Sequence, residues 1–235
     1  MAIQRFYEGV NSVSTDNPIG MLPYLDPTTW AVWMDDFVII PELTSQWVNT
    51  GGLALAAGSY GGCGSLVLTQ TGDNSLYQLT LKNINFTFVS GKKLIFETKF
   101  YLNKVGGTIG EQEIFFGLAG LDTGASFTAA DGLTMAVDNC VGFWSPDATA
   151  NINSIVRVVD VESTQNPTTT YADLTWTVLS FYFDGTSIQF YKNDVMVSKI
   201  TAYPTVGLSP TIFFKAGEAQ NQIMYIDYML VARER

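Results

Sequence analysis

The sequence contains no histidine. That removes Ser-His-Asp and Cys-His nucleophile systems, histidine-ligated zinc and histidine proton shuttles together. Only two cysteines occur, Cys63 and Cys140, without CxxC spacing; a disulfide scaffold is excluded, buried thiols are expected, and a single bridge stays open. Charge is scarce, at 14% of residues, where about a quarter is usual. Basic charge is scarcer still: 12 Lys and Arg against 22 Asp and Glu leave a net charge of −10. Nucleic acid is therefore not an expected partner, because sequence-independent affinity comes from neutralising phosphates. No apolar run nears the roughly 18 residues needed to span a bilayer as a helix. The opening MAIQRFYEGVNSVSTDN lacks the apolar core of a signal peptide. A chain made in a cytoplasm, without a membrane partner, is the expectation.

What is present is apolar and aromatic. Of 235 residues, 47% are hydrophobic and 13% aromatic, which excludes a disordered chain and gives enough material for one large core. Thr, Ser, Asn and Gly cover the surface where charge does not, the composition of strands joined by polar turns. Residues 1–29 carry Pro18, Gly20, Pro23 and Pro27 among Ile19, Met21, Leu22, Tyr24 and Leu25 with no helical or strand period, and read as an extended arm. From Trp30 apolar alternation begins: Val32 and Met34 face one way, Ala31 and Trp33 the other. A single domain over 30–235 is expected. The glycine-rich stretch 51–64 reads as turns and bulges around strands near 53–57 and 66–69; without a following lysine and a βαβ context it is no phosphate loop. Further strands are expected at 76–81, 93–102, 113–121, 133–137, 155–161, 174–183, 187–192, 195–200, 211–215 and 222–232, separated by Ser90-Gly91, Asp131-Gly132, Asp184-Gly185 and Asn193-Asp194. The fold class is all-β, a jelly-roll sandwich of two antiparallel sheets behind an N-terminal arm.

Phe181 to Val197, with its two hairpins turning at Asp184-Gly185 and Asn193-Asp194, resembles the late strands of concanavalin A-like jelly rolls. Ala130-Asp131-Gly132-Leu133-Thr134 and Ile226-Asp227-Tyr228 are similar to other strands of that fold. The two ends resemble a family of tailed-bacteriophage virion proteins, in Asn17-Pro18-Ile19-Gly20, Leu25-Asp26-Pro27-Thr28-Thr29-Trp30, Asp35-Asp36-Phe37 and Ala232-Arg233-Glu234-Arg235. That resemblance implies a capsid decoration or cement protein on the outer surface of the virion, with the major capsid protein and copies of itself as partners. It also implies that the arm, through Pro18, Ile19, Leu22, Pro23, Tyr24, Leu25 and Pro27, docks on the shell.

Other chemistries have candidates. Glu111 and Glu113 are spaced so that both could line one strand face, as an acid and a nucleophile would; jelly-roll glucanases carry a third acid further along that strand, and here Ile114, Phe115, Phe116 and Gly117 follow. Asp160 and Glu162 beside Arg157 read as a polar sheet face. Asp131, Asp138, Asn139 and Asp147 could supply oxygens to calcium, but their spacing fits no loop pattern, so no metal or other cofactor is expected. Trp144 with Asp131 is the candidate glycan contact, while Trp30, Trp33, Trp47 and Trp176 read as core. Arg233, Glu234 and Arg235 read as a solvated tail or an inter-subunit ion pair. The expected function is a non-enzymatic virion protein, trimeric by the usual preference for closed symmetry; the alternative is a carbohydrate-binding receptor or adhesin module of the same particle.

Overall fold

The structure, a computed structural model, describes residues 25–37, 45–50, 56–60, 63–70, 72–82, 85–105, 111–120, 127, 135–147 and 149–235. Sixteen strands run through them: β1 (Trp30–Asp35), β2 (Trp47–Asn49), β3 (Ala56–Tyr60), β4 (Cys63–Gln70), β5 (Leu76–Leu81), β6 (Phe86–Thr87), β7 (Leu94–Val105), β8 (Gln112–Ala119), β9 (Cys140–Ser145), β10 (Asn151–Val158), β11 (Val161–Thr170), β12 (Thr177–Phe183), β13 (Ile188–Lys192), β14 (Val195–Ile200), β15 (Gly207–Ala216) and β16 (Asn221–Glu234). They form two eight-stranded antiparallel sheets. The first runs β14-β13-β12-β7-β16-β4-β3, with β1 also on β16; the second runs β11-β10-β9-β8-β15-β5-β2, with β6 on β15.

Alternation sends one face of each sheet into a shared core. Phe96, Phe100, Phe181, Phe183 and Phe190 enter it from the first sheet, and Phe116, Phe143, Ile212 and Phe214 from the second. Phe96 stacks on Phe181 at 4.9 Å within one sheet, while Phe100 meets Phe116 at 4.9 Å and Phe143 meets Phe190 edge-on at 5.3 Å across the gap. Each ring wholly removed from water contributes on the order of 1.5–3 kcal/mol. Between Phe100, Ile114, Phe116, Phe143 and Leu179 the gap leaves no room for a water molecule.

Most expected strands stand where periodicity put them, β5 and β14 to the residue. The expected 155–161 strand divides instead: Val159 and Asp160 turn at φ 47° and 66°, and β10 pairs back with β11 through Val158 and Val161. β9 carries no clear strand period, because Gly142 interrupts its apolar run. Of the expected 133–137 strand, residues 133–134 lie outside the described residues, and 136–137 are not extended into a strand.

The two ends of the chain meet. β1 pairs antiparallel with the end of β16 from Trp30 opposite Glu234 to Asp35 opposite Met229. Asp26 closes the preceding turn, its carboxylate accepting from Thr28 N at 2.8 Å and its carbonyl from Trp30 N at 2.8 Å. Of the arm residues, Pro18, Ile19, Leu22, Pro23 and Tyr24 lie outside the described residues. Pro27 is exposed, and Leu25 packs on Trp30, Ile95, Tyr182, Tyr191 and Ala232 of the chain's own first sheet. The solvated-tail reading of 233–235 is corrected: Arg235 N donates to Thr29 O at 2.8 Å, and Glu234 accepts from Lys93 N at 3.1 Å.

Candidate functional site

Two sheet faces point away from the core, and their chemistries differ. On the second sheet the outward positions are Glu113, Phe115 and Gly117 of β8, Phe213 and Lys215 of β15, Trp144 of β9, and Ile155 and Arg157 of β10. Phe127, Met135 and Val137 lie over them and complete a second apolar layer with Cys140. The covering segment is held by hydrogen bonds: Phe127 N donates to Gln78 Oε1 at 3.0 Å, and Arg157 Nη1 donates to Met135 O. Phe115 lies 4.4 Å from Phe127, and Phe213 5.4 Å from it. Room for the Phe115 ring comes from Gly117 and Gly142, paired across β8 and β9; a Cβ on either would fall within 2.9 Å of that ring and closer still to neighbouring backbone.

Glu113 is wholly buried and ion-paired, its Oε1 2.6 Å from Lys215 Nζ. The next outward positions on its strand are Phe115 and Gly117, so β8 offers it no second carboxylate. Glu111 stands before β8, where its backbone carbonyl accepts from Gly217 N at 2.6 Å. Glu162 shares this sheet but lies three strands away, opposite Arg157, which in turn pairs with Cys140, the partner of Ala119 at the far end of β8. Three strand spacings and six residues along β8 place it roughly 25 Å from Glu113, beyond the 5–9.5 Å or so at which two carboxylates act on one glycosidic bond. Asp160 is an ion partner of Arg157 at 2.8 Å in the turn after β10.

Trp144 is corrected from glycan contact to core: it is 4% exposed, with Phe127 and Phe213 beside it, and offers no ring face to a sugar. Its proposed companion Asp131 lies outside the described residues. The calcium candidates do not converge. Asp138 and Asn139 precede β9 and Asp147 follows it, and Asn139 Oδ1 is taken by Val159 N at 3.1 Å. Among the described residues no group of three or more His, Cys, Asp or Glu side chains could hold a metal ion. Cys140 is a free, buried thiol whose pKa burial pushes up to about 12; the Cys63 side chain is outside the described set.

The outer face of the first sheet is polar and aromatic. Trp176, just before β12, Tyr101 of β7 and Tyr225 of β16 stand side by side, with centroids 5.3 Å and 5.9 Å apart. Trp176 is only half-buried, so its sequence assignment to the core is also corrected. One step along, Lys99 Nζ lies 4.8 Å over the Trp176 ring and 2.7 Å from Asp227 Oδ2. Beyond it Tyr228 donates its hydroxyl to Glu97 Oε1 at 2.6 Å. Burial pushes the Glu97 carboxyl up to about 7, against the lowering effect of that hydrogen bond, and Tyr228 is raised by burial and by the Glu97 charge. Nothing in composition separated this face from core, because its aromatics alternate along strands as core residues do.

No protein-family model matches the chain, and no curated protein sequence matches it. Solved structures do. An endo-1,3-beta-glucanase from Streptomyces sioyaensis superposes with a TM-score of 0.60 at 15% identity, covering 89% of this chain and 98% of the enzyme. Peanut lectin gives 0.58 at 12% identity over 87% of this chain and 97% of the lectin. The carbohydrate recognition domain of Emp46p gives 0.57 at 11% identity over 83% and 93%. The protein therefore has the concanavalin A-like jelly-roll fold, one that both glycanases and lectins use.

Proposed function

We propose that the protein is a non-catalytic carbohydrate-binding module of a bacteriophage particle. The observation that carries the non-catalytic half is the Glu113–Lys215 pair: the acid best placed for hydrolysis is ion-paired, has Phe115 and Gly117 where a partner acid would stand, and is wholly buried. A glycosidase needs two carboxyls with separate protonation states at the scissile bond. The carbohydrate half is supported by the fold's company of lectins, recognition domains and glycanases, and by the aromatic outer face of the first sheet. The test is a panel of neutral polysaccharides assayed for retention of the protein and for release of reducing ends. Retention without release is expected; release that Glu113→Gln abolishes overturns the reading.

A second reading, capsid decoration, is favoured by one observation. The two terminal segments that resemble virion proteins are joined into one unit by the β1–β16 ladder and the Arg235–Thr29 hydrogen bond. In this reading residues before Leu25 contact the major capsid protein, and the module stands as a trimer on the shell. Antibody labelling of intact particles separates the two: uniform label over the head supports decoration, and label confined to the tail supports a receptor-binding role.

A further inference from the structure

We infer that the carbohydrate site lies on the outer face of the first sheet, on the partly exposed Trp176 and Tyr225 that flank the buried Tyr101, and that its ligand is an uncharged sugar chain. The inference rests on the carbohydrate-binding reading and locates its site. It places binding on the opposite side of the sandwich from the buried Glu113.

Three observations support the location. First, among the described residues the two faces differ at their aromatics: on the second sheet an apolar layer covers them, whereas on the first Leu25 covers the Trp30–Tyr182 end and Trp176 and Tyr225 remain partly exposed. Second, Trp176, just before β12, and Tyr225 of β16 flank Tyr101 of β7 at 5.3 Å and 5.9 Å; Tyr101 is buried and backs the two outer rings, which are the ones that can meet a ligand. A pyranose presents a flat patch of C–H groups that packs on such faces, while aromatic side chains contribute area at little conformational cost. Third, the two rings are edged by hydrogen-bonding groups suited to hydroxyls: the Lys99–Asp227 pair and the Tyr228–Glu97 pair.

Charge selects the class. Lys99 is balanced by Asp227, and Glu97, raised by burial and by the nearby Asp194 carboxylate, holds its proton up to about neutrality, so the face offers no net positive charge inside a chain of −10. An anionic glycan would meet the repulsion of the whole molecule with no cluster of cations to receive it. A neutral one meets compensated donors and acceptors. Lys99, a flexible side chain resting on the indole, must swing aside for a sugar to stack there, which leaves its ammonium and the Asp227 carboxylate at the ligand's edge.

The experiment is calorimetric titration of the full chain with neutral gluco-, xylo- and manno-oligosaccharides, with circular dichroism confirming the fold of each variant. Trp176→Ala and Tyr225→Ala are each expected to weaken binding about tenfold or more, and Glu113→Gln to leave it unchanged. Because Glu97 loses its proton through neutrality, wild-type affinity is expected to fall between pH 6 and pH 8, and Glu97→Gln to remove that dependence. If Trp176→Ala disturbs the fold, Tyr225→Ala and the Glu97→Gln pH profile decide alone. Folded variants that bind like wild type overturn this site while leaving the carbohydrate reading intact. Absence of binding by the wild-type protein to every oligosaccharide overturns both.

Discussion

Lys215 and Glu113 form the pair on which a change of one side chain acts most strongly. Glu113 is wholly buried and Lys215 nearly so, so removing either partner strands a charge away from water, whereas removing both leaves shape without charge. Lys215→Ala is expected to destabilise the fold by about 3 kcal/mol, and the double change Glu113→Gln, Lys215→Met to recover most of that loss, as read by chemical denaturation. Glu97 gives a pH test. Its folded pKa, raised by burial to about 7 from 4.5, means the folded state holds a proton that the unfolded chain releases earlier. Stability from this group is present in full below pH 4.5 and is lost as pH rises towards 7. Thermal melts across that window are expected to show the decline in wild type and a flatter profile in Glu97→Gln. At this scale the sequence was least legible, and the two tryptophans exchange roles for a physical reason. Trp144 follows Gly142 and Phe143, which looks like a loop, yet its strand is buried beneath a covering segment. Trp176 precedes an apolar run and looks like core, yet it lies on the outward face.

Hairpins were legible because turn chemistry is local. The β12–β13 turn depends on Asp184, whose carboxylate accepts from Thr186 N and Oγ1 and from Ser187 N and Oγ, all at 2.8 Å. Burial pushes its pKa up, but those hydrogen bonds outweigh that effect and hold it well below the usual range. Its contribution is therefore present above the unfolded value of 3.8 and is lost as pH falls below it. Asp184→Ala is expected to cost about 1–2 kcal/mol at neutral pH in equilibrium unfolding. Gly185 beside it has φ 96°, and a Cβ there would fall 2.8 Å from Gly91 Cα, so Gly185→Ala should cost at least as much. β9 and the division of 155–161 were not legible, since a glycine within a buried strand and a Val-Asp turn at positive φ both run against local preference. Tertiary packing decides them: Gly142 makes room for Phe115, while Asn139 and Asp138 accept from the turn's own Val159 and Asp160 amides.

For the whole molecule, sheet count and class followed from period and turns, whereas the pairing of the first described strand with the last is long-range and left no sequence signal beyond the two resembling ends. That pairing bears on the arm. Leu25 packs on the first sheet, so deleting all residues before Trp30 removes a contact and the Asp26 turn with it. The shortened chain is expected to fold with stability reduced by about 1–2 kcal/mol; co-sedimentation with capsids lacking the protein then reads the docking role separately, and unchanged sedimentation contradicts it. The central claim, that one outer face is sealed structure and the other the binding surface, is tested most directly by the indole N–H resonances of the five tryptophans during titration with a neutral oligosaccharide. Trp176 reports on the first sheet and Trp144 on the second. The Trp176 resonance is expected to shift in a saturable manner while that of Trp144 stays in place; a saturable shift of Trp144 with Trp176 unmoved would rule out binding on the first sheet.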